Sequence, residues 1–187
     1  WIDRGLRVTR VAVNVSGLQL RQRNFVAMVS EALHQCASSA IDLELTESLL
    51  KDDIEDNIEK LKAIRSFGVG IAIDDFGTGH SSLAYLAKLP VDMLKIGRAF
   101  ISAMLNDPPS MTLVQTVISL AHSLKLKVVA GGVDAEDQAL ILRLLRCDQM
   151  QGYLVSKPLP REEIVQLLSH SPQRDEREGA VNQSTLG

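Results

Sequence analysis

Two hydrophobic periods alternate along the chain. Short apolar or β-branched runs, typical of strands, are separated by longer stretches whose apolar residues recur at three and four positions, as on one face of a helix. The short runs predict six strands, over residues 8–15, 41–46, 69–75, 91–96, 127–130 and 150–154. Strands that alternate with helices in this way form a parallel sheet with helical crossovers.

The stretches between and after these strands predict six helices. Their predicted positions are residues 25–36, 53–67, 82–88, 110–124, 135–146 and 160–169. Asn24 is the predicted N-cap of the first helix, and Gly68 ends the second as a C-cap. Residues 98–108 are expected to form a connection that ends at Asp107-Pro108-Pro109.

Two closures of such a sheet are possible, an open doubly wound sheet or a (β/α)8 barrel. Polar residues at or near the carboxyl ends of several different strands favour the barrel, in which side chains from many strand ends surround one site. These residues are Asn14, Glu44, Asp74, Asp75, Lys95 and Gln151. An open sheet instead concentrates its site at one switch point with a Gly-rich loop, and the sequence contains no such loop.

The length of the chain is short for a whole barrel. A (β/α)8 barrel needs eight units and about 250 residues, whereas this sequence has 187 residues and about six units. We therefore expect one α/β barrel domain over residues 1–169 that lacks one or two N-terminal units. Residues 170–187 are polar and charged and are expected to form a disordered tail.

The composition of the chain disfavours several classes of partner. The net charge is −3 and aromatic residues make up 4%, which disfavours DNA or RNA as a partner because such a partner requires a basic face or stacking aromatics. The sequence has no long apolar run and no signal-peptide pattern. The two cysteines have no metal-type spacing. We expect a cytoplasmic domain, either free or carried by a membrane-anchored longer protein.

The strand-end residues suggest a metal site. Asn14, Glu44, Asp74 and Asp75 offer oxygen ligands without nearby imidazole or thiolate, a set that suits Mg²⁺ or Mn²⁺ rather than Zn²⁺. Such ions would let an acidic ring hold a phosphate, and Lys95 would add one positive charge. Two simpler interpretations stay open: Asp74-Asp75 is a turn signal, or Glu44 and Lys95 form a structural ion pair.

Several motifs, in order along the chain, resemble the EAL family of cyclic-di-GMP phosphodiesterases. The resemblance extends from about Val8 to Pro160. Its most specific stretches are Asp74-Asp75-Phe76-Gly77-Thr78-Gly79, Leu45-Thr46-Glu47-Ser48, Asn14-Val15-Ser16, Leu89-Pro90-Val91-Asp92 and Gln151-Gly152-Tyr153-Leu154. The resemblance implies a (β/α)8-type barrel that uses Mg²⁺ or Mn²⁺, at two sites in the intact family, to open cyclic-di-GMP to linear pGpG.

The resemblance also implies roles for single residues. Asn14, Glu44 and Asp74 correspond to metal ligands, with Asp74 as the bridge between two ions, and Asp75 corresponds to a ligand of the second metal near the substrate. Lys95 corresponds to the lysine that orients the attacking water. Two further residues match family positions: Glu47, which supports the catalytic loop, and Gln151, near the metal site and the substrate.

Three departures from the family pattern affect catalysis. The Glu-x-Leu segment that names the family lies upstream of the first residue, and Glu31-Ala32-Leu33 matches it only by coincidence inside a predicted helix. The glutamate that serves as general base is replaced by Gly131, and the aspartate that follows the lysine by Gly97. Loss of a positioned base typically slows a reaction by about 10²–10⁴-fold. We therefore expect a poor catalyst or none.

Three functions remain open at this point. The first is a metal-dependent phosphodiesterase with impaired catalysis, and the second is an inactive domain that senses cyclic-di-GMP. The third is a scaffold for protein interactions that binds neither metal nor nucleotide. The resemblance further suggests a homodimer and upstream sensory or GGDEF-type domains in a full-length protein.

Overall fold

The computed structural model of the protein describes residues 10–35, 41–50, 53–77 and 86–170. The chain forms two compact units, one of Thr9–Lys157 and the other of Trp1–Val8 with Pro158–Gly187. The first unit contains the sheet. In the described part of the second unit there is one helix, Arg161–His170. The predicted tail, apart from His170, lies outside the described residues.

Six parallel strands form the sheet of the first unit. They are β1 (Val11–Asn14), β2 (Ile41–Thr46), β3 (Gly70–Phe76), β4 (Met93–Ile96), β5 (Lys127–Gly131) and β6 (Gln149–Gln151). Each strand pairs with its neighbours in sequence, in the order β1-β2-β3-β4-β5-β6. The sheet curls into a half-barrel. The order of the strands in the sheet follows their order in the sequence throughout. The predicted barrel class is confirmed.

Five of the described helices lie close to predicted ones, whereas the first and the fourth were not predicted. They are α1 (Gly17–Leu20), α2 (Phe25–His34), α3 (Ile54–Ser66), α4 (Arg98–Ala103), α5 (Pro108–Ser123) and α6 (Glu136–Leu144), followed by α7 (Arg161–His170), and a 3₁₀ turn spans Glu47–Leu50. Most of the predicted helix 82–88 lies outside the described residues. No described helix has both the length and the apolar character needed to cross a membrane.

The connection predicted over residues 98–108 is wrong in its first half, where α4 lies. Ile101 and Met104 are buried and three positions apart, so this short segment has one apolar side. It packs against α5. Tertiary packing therefore stabilises a helix that is too short to be stable by its own propensity.

One face of the sheet forms the core. Its buried side chains are Leu43, Leu45, Ile71, Ile73, Leu94, Ile96, Val128 and Ala130. Helix α3 packs against β3, and α5 packs against β4 and β5. Since side chains alternate along a strand, the residues between these apolar positions point to the opposite face, where the predicted site residues lie.

Candidate functional site

The strand register places the predicted site positions on one face. Asn14 pairs with Glu44, Glu44 with Ala72, and Ala72 with Met93. Lys95 pairs with Val129, and Gly131 with Gln151. Paired residues of parallel strands, and residues two apart on one strand, share a face. The residues on this face near the carboxyl ends are Asn14, Glu44, Asp74, Lys95, Gly131 and Gln151.

Lys95 lies between two carboxylates at the centre of this face. Its Nζ is 2.8 Å from Glu44 Oε2 and 3.5 Å from Asp74 Oδ2. The three side chains are exposed by 13%, 12% and 19% respectively. We call them the Lys95 cluster. The ion pair between Glu44 and Lys95 that the sequence left open as a structural alternative is present.

The carboxylates keep Lys95 charged. Burial alone would lower the pKa of Lys95, but the hydrogen bonds and charges of Glu44 and Asp74 outweigh burial and raise the pKa above its usual value of 10.5. A buried ammonium and two carboxylates compensate one another in this way, since an isolated buried charge is costly. The cluster is therefore a stable source of one positive charge at neutral pH.

A β-bulge in β3 displaces Asp75 from the alternation that places the Asp74 side chain on the site face. Ile73 pairs with Leu94 and Phe76 with Ile96, so two residues of β3 oppose Lys95 alone. Asp75 has a φ of 53°, in the left-handed region, and its backbone N–H donates to Asp74 Oδ1 at 2.8 Å. The extra residue turns Phe76 to the buried core face and leaves Asp75 exposed.

Glu47 lies behind this bulge, in the 3₁₀ turn after β2. Its carboxylate is buried, and Oε2 accepts a hydrogen bond from the Gly77 N–H at 3.3 Å. Gly77 has a φ of 97° and begins the segment that follows β3. Glu47 therefore contacts the first residue of the segment that the sequence predicted it to support.

Gly131 faces the Lys95 cluster from β5. A Cβ on this residue would lie 3.7 Å from Lys95 Cε and 3.2 Å from the Ile96 carbonyl oxygen. Any side chain at position 131 would therefore extend beside Lys95. Glycine leaves this side of the lysine without a carboxylate.

A cleft of about 270 Å³ opens over this end of the sheet. Its lining includes the predicted residues Asp74, Asp75, Lys95, Gly131 and Gln151. Asn14, Glu44 and Glu47 do not line it. Asn14 lies on β1, on the far side of Glu44 from the cleft, and its side chain is exposed. The structure thus brings five of the eight predicted positions to the cleft.

Three of the other residues that line the cleft have charged or aromatic side chains and were not among the predicted site residues. Arg98 Nη2 is 2.9 Å from Asp134 Oδ2, and Asp134 Oδ1 accepts the Tyr153 N–H at 3.0 Å. The Arg98 guanidinium lies 5.6 Å from the centre of the Tyr153 ring, a cation–π distance. Arg98 begins the helix that was not predicted, which is why its position at the cleft was missed.

The site does not fit the predicted pair of metal ions as it stands. Within the described residues, no three His, Cys, Asp or Glu side chains converge as ligands would. Glu44 and Asp74 supply the oxygen donors that Mg²⁺ prefers, but both contact the Lys95 ammonium. Asp75 is separated from them by the bulge. The structure supports an ionic cluster at this place.

Comparison with known proteins gives the family. The model of the EAL domain family matches residues 1–158. The bifunctional diguanylate cyclase/cyclic di-GMP phosphodiesterase MucR of Pseudomonas aeruginosa is 40% identical over 167 residues, which cover 88% of this chain and 24% of MucR. The cyclic di-GMP phosphodiesterase NbdA of the same species is 44% identical over 153 residues, 81% of this chain and 20% of NbdA.

A solved structure agrees with these relatives. The MucR phosphodiesterase in complex with c-di-GMP superimposes with a TM-score of 0.84 at 40% identity, over 88% of this chain and 67% of that one. The chain belongs to the EAL domain family. Its phosphodiesterases generally depend on divalent metal. The chain spans about a quarter or less of the length of its curated relatives.

Proposed function

We propose that this domain binds cyclic-di-GMP in the cleft and hydrolyses it to linear pGpG slowly or not at all. The observation that carries the proposal is Gly131, which faces Lys95 at the position of the family's general base. The family and the c-di-GMP complex of MucR support the ligand. The Lys95 cluster, Asp75 and Gln151 are the residues that we assign to this ligand's site.

Two cationic side chains and one aromatic ring of the cleft support the binding of a phosphodiester. Lys95 and Arg98 both line it and carry positive charge, and Tyr153 offers an aromatic face that is half exposed. Charge-assisted hydrogen bonds to phosphate are stronger than neutral ones, and an aromatic ring can stack on a base. Both cations are already paired with carboxylates of the chain, so a phosphate has to share them. Gln151 lines the same cleft.

Hydrolysis requires in addition a base that takes a proton from the attacking water. Gly131 has no group for this step. The neighbouring Asp134 carboxylate is held by Arg98 and by the Tyr153 N–H, and we assign it no role as the base. Lys95 is charged and can orient a water but cannot accept its proton. Proton removal is thus the step that this domain performs poorly.

The test measures binding and turnover of cyclic-di-GMP by the purified protein with Mn²⁺. We expect binding by calorimetry and little conversion to pGpG by chromatography. The double variant Gly131→Glu/Gly97→Asp should raise turnover by at least about tenfold, since a restored base is worth about 10²–10⁴-fold. A variant with Gly131→Gln/Gly97→Asp is the control, because it has nearly the same shape at position 131 without the basic carboxylate.

The outcomes separate the three functions. Rapid conversion by the unchanged protein would contradict impaired catalysis. Binding without turnover supports a cyclic-di-GMP sensor. Absence of binding would leave the scaffold for protein interactions, and equal gains from the glutamate and glutamine variants would show that the missing base is not the cause of the slow reaction.

A further inference from the structure

The Lys95 cluster places a cation of the chain itself between two metal-type ligands. Lys95 Nζ contacts Glu44 Oε2 at 2.8 Å and Asp74 Oδ2 at 3.5 Å. These carboxylates come from β2 and β3, and the lysine from β4, so three adjacent strands hold the contact in place. The Lys95 side chain is 13% exposed, which limits the screening of its charge by solvent.

Gly131 supplies no carboxylate to Lys95. A side chain at this position would begin 3.7 Å from Lys95 Cε, on the side of β5. The carboxylate of Asp134 pairs with Arg98. Lys95 contacts Glu44 and Asp74, so its positive charge lies where a divalent cation would need these same oxygens.

From this geometry we infer that Lys95 is the built-in counter-ion of Glu44 and Asp74 and competes with Mg²⁺ or Mn²⁺ for them. A divalent cation at these oxygens has to displace both contacts and then lies near the Lys95 ammonium. Like charges a few ångströms apart in a partly buried site repel strongly. The site therefore binds divalent metal weakly for two reasons. Lys95 is present beside the ligand oxygens, and the sequence lacks some of the ligands that the resemblance implies.

This inference goes beyond the proposed function, because it concerns the metal without nucleotide. It is tested by Mn²⁺ titration in the absence of cyclic-di-GMP, with the free ion measured by electron paramagnetic resonance. We expect Lys95→Met to bind Mn²⁺ at least about tenfold more tightly than the unchanged protein, since one adjacent positive charge is removed. Lys127→Met is the matched control, with the same loss of charge at the amino end of β5.

Two further variants locate the gained site and guard against misfolding. Adding Asp74→Asn to Lys95→Met should remove the gain, because it removes one ligand. Lys95→Gln keeps a hydrogen-bond donor and should bind Mn²⁺ more tightly as well. Mn²⁺ should raise the melting temperature of both Lys95 variants by more than that of the unchanged protein.

The result that overturns the inference is equal or weaker Mn²⁺ binding by Lys95→Met and Lys95→Gln, including absence of binding in all proteins. An equal gain in Lys127→Met would also overturn it, since the effect would then be one of net charge. Because no nucleotide is present, failure here leaves the proposed binding of cyclic-di-GMP to be decided by its own experiment.

Discussion

Glycines at three positions have three different consequences at the scale of single residues. Gly131 determines the chemistry of the cleft, because any side chain there would extend beside Lys95. Gly152 permits close packing, since a Cβ on it would lie 2.1 Å from the Val133 carbonyl oxygen. Gly68 permits a φ of 82° after α3 and has open space where a side chain would be. Only the first of these bears on the reaction.

The two structural glycines should differ in their tolerance of alanine. Gly68→Ala places an L residue in the left-handed region and should lower the free energy of unfolding by about 1–2 kcal/mol. Gly152→Ala drives a Cβ into backbone atoms and should cost about 3 kcal/mol. Urea denaturation of both variants measures the difference, and equal losses would show that the backbone at Val133 moves aside.

At this scale, the sequence predicted those site residues whose positions follow from the alternation of side chains along a strand. Glu44, Asp74 and Lys95 follow from their positions near strand ends, and their meeting follows from parallel pairing. The position of Asp75 did not follow, because the bulge adds one residue that no periodicity marks. Arg98 and Asp134 were missed because their pairing depends on the place of α4. Roles of single residues in catalysis stay predictions.

At the scale of secondary-structure elements, two aspartates connect helices to strands at the amino end of the sheet. Asp92 accepts the Ile71 N–H at 2.9 Å and pairs with Arg65, the basic residue in the last turn of α3. Asp148 repeats the arrangement with the Val128 N–H at 2.8 Å and His122 in the last turn of α5. Each aspartate ties a strand to the helix that precedes it.

Removal of one such aspartate should be costly. Asp92→Ala takes away the acceptor of a part-buried N–H and the partner of Arg65, and should lower the free energy of unfolding by about 1–3 kcal/mol. The control is Glu59→Ala, which breaks an exposed pair with Lys62 and should change it by less than about 0.5 kcal/mol. Thermal melting of the two variants compares them, and similar losses would refute the connection.

The start of α5 should depend on pH through Asp107. The Ser110 hydroxyl and then the Ser110 N–H donate to Asp107 Oδ2, at 2.5 and 2.9 Å, and they lower the pKa of this N-cap below its usual 3.8. A lowered pKa in the folded state means stability that is present above pH 3.8 and lost as the pH falls through the lowered value.

Asp107→Asn should therefore have a lower melting temperature than the unchanged protein at pH 7, and the gap should narrow below pH 3.8. Ser110→Ala removes the hydroxyl but keeps the backbone donor, so its pH dependence should be intermediate. A gap that stays constant into the acid range would show that the charge of Asp107 contributes nothing to α5.

Most elements were predictable because their patterns are long or strongly β-branched. Strand β2 was predicted with its observed bounds, Ile41–Thr46. Strand β1, Val11–Asn14, lies within the predicted residues 8–15, of which residues 8 and 9 are outside the part of the chain that the structure describes. The helix at Pro108 begins two residues earlier than predicted, because proline fits the first turn, where its missing N–H is not needed. Helix α4 was missed because six residues show too little periodicity.

At the scale of the whole molecule, the sequence indicated a parallel sheet and favoured a barrel, and the comparisons place the chain in the EAL domain family. The order of the strands in the sheet was predictable because helical crossovers join adjacent parallel strands.

The sequential strand order has a consequence for how the molecule is made. Each strand after β1 has its first partner immediately upstream, so a chain that emerges from the ribosome always has a template ready for the next strand. Glu44, Asp74 and Lys95 lie on β2, β3 and β4 and can pair before β5 and β6 are synthesised. The charges at the centre of the site can thus be balanced before β5 adds Gly131 and β6 adds Gln151 to the cleft.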